Sequence, residues 1–309
     1  MPIRYSVILP IYNEESCLRE VVERIVKALD LSGEPYEIIC VDDCSKDSTW
    51  PIISEIHRTN ASVKGIHFIR NFGHQIGIFA GIKHCKGEYI AVLDADGQDP
   101  PELLPQMFQK CRQGYDVVYA VRRKRKEHIL KRMAYALFYR FFKVIVPFEV
   151  PLDSGDFSVF SRSVADFLSS RTEKKPFIRG LRSWHGGKQA AFEYERQKRL
   201  SGDPKYTLLK LIMLALNASI SFSKVPLRLI SITGIIISGI AFLAGMAILV
   251  MKFTAGINLI GWTSTAFLIM FFGGLNLFVL GIIGEYIGDI FDEVKNRPVF
   301  LIDQKLGID

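Results

Sequence analysis

Residues 93–102 read LDADGQDPPE, which places three carboxylates, Asp94, Asp96 and Asp99, directly behind the apolar run YIAVL in a chain whose formal net charge is +7. Where the backbone stays extended, residues i and i+2 project to the same side about 7 Å apart, so Asp94 and Asp96 converge on one small object. Left uncompensated, two such charges repel and one of them takes up a proton. A hard divalent cation removes the conflict: Mg²⁺ takes one or two carboxylates and shares its other positions with substrate phosphates. The spacing by itself also suits a solvated turn, so its surroundings must decide the chemistry.

Those surroundings repeat a rhythm. YSVILPIY, YEIICVDD, VKGIHFIR, EYIAVLD and YDVVYAV are strand patterns, and helical spacing separates them over 15–31, 47–58, 74–85 and 101–112, with Pro51 in the first turn of the second helix. Strands alternating with helices predict parallel pairing and an α/β sheet, and in such sheets ligands sit beyond the carboxyl ends of the strands. Both acidic clusters fall there: Asp42 and Asp43 after the second strand, Asp94 and Asp96 after the fourth.

Composition adds a membrane. The chain has 309 residues and is 49% hydrophobic, with the excess concentrated in two uncharged stretches, one between Arg228 and Lys252 and one between Lys252 and Glu285. Each is long enough to cross a bilayer, and neither holds an ionisable residue to line a transport path, which argues against a channel. Basic residues crowd the segment before the first stretch, so the positive-inside bias places the catalytic part and both termini in the cytoplasm. The opening MPIRYSVILP enters a strand pattern without the features of a signal peptide, in keeping with that side. Two stretches interrupted by Lys and Arg, 129–146 and 206–222, have the pattern of helices lying in the interface plane. The expected division is 1–205 catalytic, 206–226 interfacial helix, 227–285 transmembrane hairpin and 286–309 cytoplasmic helix and tail, with VFLID as a strand of unassigned partner. Gly274, Gly281, Gly284 and Gly288 allow close helix approach, an expectation of homo-oligomers. Five cysteines, an odd number without zinc spacing, read as reduced, mostly buried thiols.

The stretches LPIYNEE (9–15), VDDCSKDST (41–49), RNFGHQIGIFAGIKHCKGEYIAVLDADGQDPPE (70–102), GYDVVYAVRRKR (114–125), DSGDFSVFSR (153–162), FIRGLRSWHG (177–186) and YERQKRLSGDPKYTLLKL (194–211) carry a resemblance. In order and spacing the chain resembles the family 2 glycosyltransferases that charge polyprenyl phosphates, among them dolichyl-phosphate mannose synthase and the bactoprenol glucosyltransferases, which share the two C-terminal spans. The resemblance implies a GT-A (Rossmann-like) fold and an inner-membrane enzyme with Mg²⁺ or Mn²⁺. It implies inverting transfer from a nucleotide sugar to an undecaprenyl-type phosphate, and no nucleic acid as partner. By the same resemblance Pro10, Tyr12, Glu14 and Asp42 hold the nucleoside. Asp94 and Asp96, with Gln98 as a further oxygen donor, hold metal and diphosphate. Asp156 orients the acceptor or serves as base, with positioning favoured because a phosphomonoester is already largely dianionic at pH 7. Arg122, Arg123, Arg132, Arg196, Arg199 and Lys205 are the phosphate cradle, shared with anionic headgroups. Asp43 is assigned to loop structure and Trp184 to the border of the sugar pocket; His185 stands beside it, with a structural histidine the favoured reading. Two positions depart from the pattern: Ser158 where an Arg often follows Gly-Asp-Phe, and Pro204 before Lys205.

UDP-glucose is the favoured donor, with GDP-mannose or an aminosugar donor compatible with the same motifs. A processive polysaccharide synthase calls for more spans and a Q-x-x-R-W motif, which the chain lacks. A non-catalytic nucleotide-sugar-binding scaffold calls for damaged carboxylates, whereas Asp94, Asp96 and Asp156 are all present.

Overall fold

Around Val7, Ile8, Leu9, Ile38, Ile39, Cys40 and Val41, all fully buried, the first two strands form the centre of a sheet covered on both faces. A computed structural model describes residues 2–122, 154–174, 176–194 and 261–308, with scattered positions between 232 and 254. The chain divides into two compact units: Met1–Tyr139, Phe148–Lys205 and Pro298–Asp309 make one, and Arg140–Pro147 with Tyr206–Arg297 the other.

In the first unit β1 (Tyr5–Ile11), α1 (Leu18–Asp30), β2 (Tyr36–Asp42), α2 (Thr49–Thr59), β3 (Val63–Phe68), α3 (His74–His84) and β4 (Tyr89–Val92) follow the expected alternation. A 3₁₀ turn (Pro101–Leu103) leads into α4 (Leu104–Arg112), and β5 (Val117–Arg122) follows. Then come β6 (Ser154–Ser161), α5 (Arg162–Ser169), α6 (Ile178–His185) and β7 (Gln189–Tyr194), with β8 (Ile302–Leu306) contributed by the tail.

The sheet order is β7-β5-β6-β4-β1-β2-β3-β8. Strands β3, β2, β1 and β4 run parallel as expected, but the sheet is mixed: β6 lies antiparallel between β4 and β5, and β8 antiparallel beside β3. The parallel pairing expected of the alternating strands does not extend to β6, which is not a further βαβ unit but a strand inserted between two others. The tail strand pairs with β3 inside the first unit, and it is shifted from the expected VFLID to IDQKL. Phe300 leaves the strand pattern to stack on Phe68 at 5.4 Å between ring centroids. Helix α3 lies close against β1: a Cβ at Gly81 would stand 2.3 Å from Ile8 Cγ2, so only glycine permits this approach.

The second unit contains α7 (Trp262–Val294), whose 33 residues make it about 50 Å long. Its segment Phe271–Val294 is, among the described residues, the one helix long and apolar enough to cross a membrane. It presents Ile269, Leu277, Leu280, Ile287 and Ile290 as exposed side chains, with Glu285, Asp289 and Asp292 toward its carboxyl end. Most of the first expected span lies outside the described residues, as do the two interfacial stretches, 129–146 and 206–222.

Candidate functional site

Strand order reverses direction on either side of β1, and the loops at the carboxyl ends of β1, β2 and β4 therefore border one crevice. The β1 and β2 loops are tied to each other through their backbones. Asn13, held at φ 54°, donates its N–H to Ser45 Oγ (2.9 Å) while its Oδ1 accepts the Lys46 N–H (2.8 Å). Glu14 N–H reaches Thr49 Oγ1 at 3.1 Å, and Glu15 Oε2 accepts the Ser48 N–H at 2.8 Å. Pro10 is buried next to the last residue of β1, and Tyr12 and Glu14 stand half-buried just beyond the strand. Asp42 is fully buried: Oδ1 takes the Ser45 N–H and hydroxyl, and Oδ2 lies 2.7 Å from His67 Nδ1. Asp43 accepts the N–H groups of Phe72 (2.6 Å) and Gly73 (2.8 Å) and so shapes the turn into α3, the loop role expected for it. Burial outweighs those two donors and raises its pKa.

The β4 loop joins this frame through Cys17, whose thiol contacts Ala95 O at 3.2 Å and Glu14 Oε2 at 3.3 Å. Burial pushes that thiol up to about 12, so it acts as a neutral bridge between loops. Strand β4 ends at Val92; Asp94 lies between the strand and a turn, and Asp96 lies on that turn, so the two do not share the extended segment assumed from their spacing. Gly97, at φ 72°, completes that turn, and Asp96 Oδ1 accepts the Gln98 N–H at 3.1 Å. Asp99 is tied instead to β7, where the Tyr194 hydroxyl donates to it.

The inserted strand explains how the site closes. β4 and β6 pair antiparallel as far as Val92 opposite Ser158, and just past the end of that ladder the carboxyls of Asp94 and Asp156 come close together. Between them stands His74, first residue of α3, with Nε2 3.4 Å from Asp94 Oδ1 and 3.2 Å from Asp156 Oδ2. Gln75 Nε2 donates to the same Asp156 oxygen at 3.2 Å, and Gln75 Oε1 caps α6 by accepting the Ile178 N–H at 3.0 Å. From α6, Arg179 adds a two-pronged contact, Nε to Oδ1 at 2.9 Å and Nη2 to Oδ2 at 3.3 Å. One turn on, the buried Arg182 donates to Ser158 Oγ, so the serine that replaces the usual arginine contacts an arginine from the neighbouring helix.

Electrostatics separate the two facing carboxyls. Burial works against the charge of Asp156, but Arg179 and His74 outweigh it and hold that carboxyl well below the ordinary range. Asp94 moves the other way, pushed up to about 6 by burial and by the neighbouring Asp156, Asp99 and Asp96, with His74 opposing. For His74, burial is overcome by the Asp156 hydrogen bond and the Asp94 and Asp156 charges, which take the ring up to about 9. Burial, helped by the neighbouring Arg179 charge and opposed by Asp156, draws Arg182 down to about 10.

The residues fit a divalent cation. Ligand atoms of His74, Asp94 and Asp156 lie within 4.8 Å of one another, and buried Asp94 Oδ1 has no hydrogen-bond donor. The carboxylate oxygens, one of them without a donor, suit Mg²⁺ or Mn²⁺, whereas His74, its ring taken up to about 9, is protonated at neutral pH and serves as a donor to Asp156 and not as a ligand.

Of the residues expected from sequence, Asp42, Asp43, Asp94, Asp96, Gln98 and Asp156 have defined places around the crevice, as do Pro10, Tyr12 and Glu14. Arg122 ends β5 by its backbone, whereas Arg123, Arg132, Arg196, Arg199 and Lys205 lie outside the described residues. Trp184 stacks on Phe167 of α5 at 5.5 Å and is 58% exposed, about 140° around the helix from Arg179. His74, Gln75 and Arg179 were not singled out in the sequence. Their signal is positional: two lie at the amino end of α3 and one at that of α6, where few side chains separate them from a strand end.

Comparison with known proteins agrees with this geometry. The family described as glycosyl transferase family 2 matches residues 6–168. An uncharacterized glycosyltransferase of Bacillus subtilis, YkcC, is 44% identical over 99% of this chain and 95% of its own length. An uncharacterized glycosyltransferase of Synechocystis sp. is 36% identical over 100% and 98%. The SfII prophage-derived bactoprenol glucosyl transferase of Shigella flexneri is 34% identical over 97% of each chain.

Proposed function

Because the chain belongs to glycosyl transferase family 2, we propose that it transfers glucose from UDP-glucose to a polyprenyl phosphate with inversion, releasing the nucleoside diphosphate. The observation that carries this reading is the set of Asp94 and Asp156 facing each other with Arg179 and His74 bound to Asp156. Acidic groups for a cation and basic groups for a phosphate lie together at one strand end. Relatives named bactoprenol glucosyl transferase, 34% identical over 97% of this chain, support the choice of sugar and lipid.

In this reading Pro10, Tyr12, Glu14 and Asp42 hold the nucleoside, with acceptors at strand ends for imide N–H and hydroxyl donors. Asp94, Asp96 and Gln98 hold the metal ion, which, when bound, neutralises the diphosphate where negative charge grows. An oxygen of the acceptor phosphate attacks the anomeric carbon as the bond from that carbon to the donor diphosphate breaks. With a second pKa of about 6, the attacking phosphate is already largely dianionic at pH 7, so the step needs no proton acceptor. Asp156 makes a poor one: its carboxyl is held ionised, and both oxygens are engaged by Arg179, His74 and Gln75. Its role is to aim Arg179, whose partly exposed guanidinium binds the acceptor phosphate in a geometry suited to paired oxygens. Arg122, Arg123, Arg132, Arg196, Arg199 and Lys205 complete the cradle around donor and acceptor phosphates.

The lipid end of the acceptor stays in the bilayer, since each buried CH₂ contributes about 0.8 kcal/mol. The enzyme therefore resides in the inner membrane with its catalytic domain and both termini cytoplasmic, and the exposed apolar side chains of α7 support that placement. The test is direct. Purified protein is incubated with undecaprenyl phosphate, Mg²⁺ or Mn²⁺ and a panel of nucleotide sugars, and lipid products are identified by mass spectrometry. A glucosylated lipid phosphate with an equivalent of UDP supports the reading, and donor binding without any glycolipid refutes it.

A further inference from the structure

Strand β8 lies far along the chain from the crevice yet reaches it through three side chains. On β3, His67 pairs in register with Gln304 of β8. His67 Nδ1 stands 2.7 Å from Asp42 Oδ2, and its ring stacks on Trp50 of α2 at 4.9 Å with an interplanar angle of 30°. Trp50 Nε1 in turn donates to Gln304 Oε1 at 2.9 Å. The tail is fastened on both sides of this contact. Phe300 stacks on Phe68 and meets Phe79 edge-on at 6.4 Å, while Leu306 packs against the buried core.

A fully buried carboxylate is oriented by its donors. For Asp42 these are Ser45 on one oxygen and His67 on the other. With Nδ1–H donating, His67 keeps its plane only while Trp50 covers its face, and the indole is pinned by Gln304. We propose that β8 is part of the nucleoside-binding machinery: Gln304, Trp50 and His67 are positioning residues that hold Asp42 as the donor nucleotide requires. Nucleotide affinity then depends on the segment that directly follows α7. The inference rests on the reading of Asp42 as a nucleoside-binding residue.

The experiment measures UDP binding by calorimetry on the full chain in detergent, well below the melting temperature of each variant. Wild type is first tested with UDP and GDP; if neither binds, the proposed function falls, and this inference with it. Given binding, Gln304→Leu and Trp50→Phe, which keeps a ring over His67, each raise the Kd by about three- to tenfold, the range of one hydrogen bond. The double variant adds nothing further, because both remove the same bond. His67→Ala weakens UDP at least as much, and His67→Asn, whose amide can donate to Asp42, recovers part of the loss. In Gln304→Leu the loss falls on the KM for the donor more than on kcat, which separates positioning of the nucleoside from the chemical step. Wild-type affinity in Gln304→Leu, Trp50→Phe and His67→Ala together, with wild type binding UDP normally, overturns the inference and leaves the proposed function standing.

Discussion

Replacing Asp156 by Asn keeps the side chain's shape and removes the charge shared by Arg179 and His74. At the observed 2.9 Å between Arg179 Nε and Oδ1, an effective dielectric constant of 20 gives a gross attraction of about 6 kcal/mol. Desolvation of the partners returns most of it, and the Arg179 side chain, 34% exposed, is further screened by water. The net loss is then about 1–3 kcal/mol, equivalent to a fall in melting temperature of roughly 3–10 °C. With Arg179 no longer aimed, kcat/KM for the lipid phosphate drops by about 10- to 100-fold. The pH profile of the residual activity keeps its acid limb, because that limb reports the acceptor's second ionisation and not Asp156. Initial rates of glycolipid formation between pH 5 and 9, for wild type and Asp156→Asn, test the argument. It is refuted if the acid limb vanishes in the variant, or if added formate restores activity by acting as an external base.

Three further outcomes follow from the same geometry. His74 has its pKa raised in the folded state, so its contribution to stability is complete below about pH 6.5 and is lost as pH rises through about 9. The melting-temperature advantage of wild type over His74→Gln should therefore shrink across that interval; the ring is 42% exposed, which limits the effect to about 1 kcal/mol. Asp94, pushed up to about 6, must lose its proton to bind metal, so Mn²⁺ affinity measured by calorimetry should rise steeply from pH 5 to 6 and flatten above 7. Gly81→Val puts a side chain where even a Cβ lies 2.3 Å from Ile8, and chemical denaturation should show a loss of about 1–3 kcal/mol or more.

The parallel half of the sheet was legible because β1 to β4 alternate with helices whose apolar spacing shows one buried face, as in Leu18, Val21, Val22, Ile25 and Leu29 of α1. The position of β6 was not, since an antiparallel insertion between two strands is decided by tertiary pairing and leaves no periodic trace in SGDFSVFS. That single pairing creates the Asp94–Asp156 apposition, so the acidic pair at 94 and 96 could be read locally while its true partner across the sheet came only from the resemblance. The tail misled for a related reason. VFLID looks like the strand because it is apolar, but Phe300 serves the core beside Phe68, whereas an edge strand tolerates the exposed polar residues Asp303, Gln304 and Lys305. Arg179 and His74 escaped notice because their importance lies in convergence on Asp156 from helices separated by a hundred residues of chain.

The central claim is that the carboxylates on the β4 turn hold a cation without which the sugar is not transferred. Glycolipid formation by wild type, Asp94→Ala and Asp96→Ala is to be measured after exhaustive chelation and again after Mn²⁺ or Mg²⁺ is restored, with circular dichroism to verify the folds. Chelated wild type should be inactive and recover with metal, and both variants should fold yet remain at least about 10³-fold slower under either condition. Variants that glycosylate lipid at the wild-type rate in the presence of chelator would contradict it.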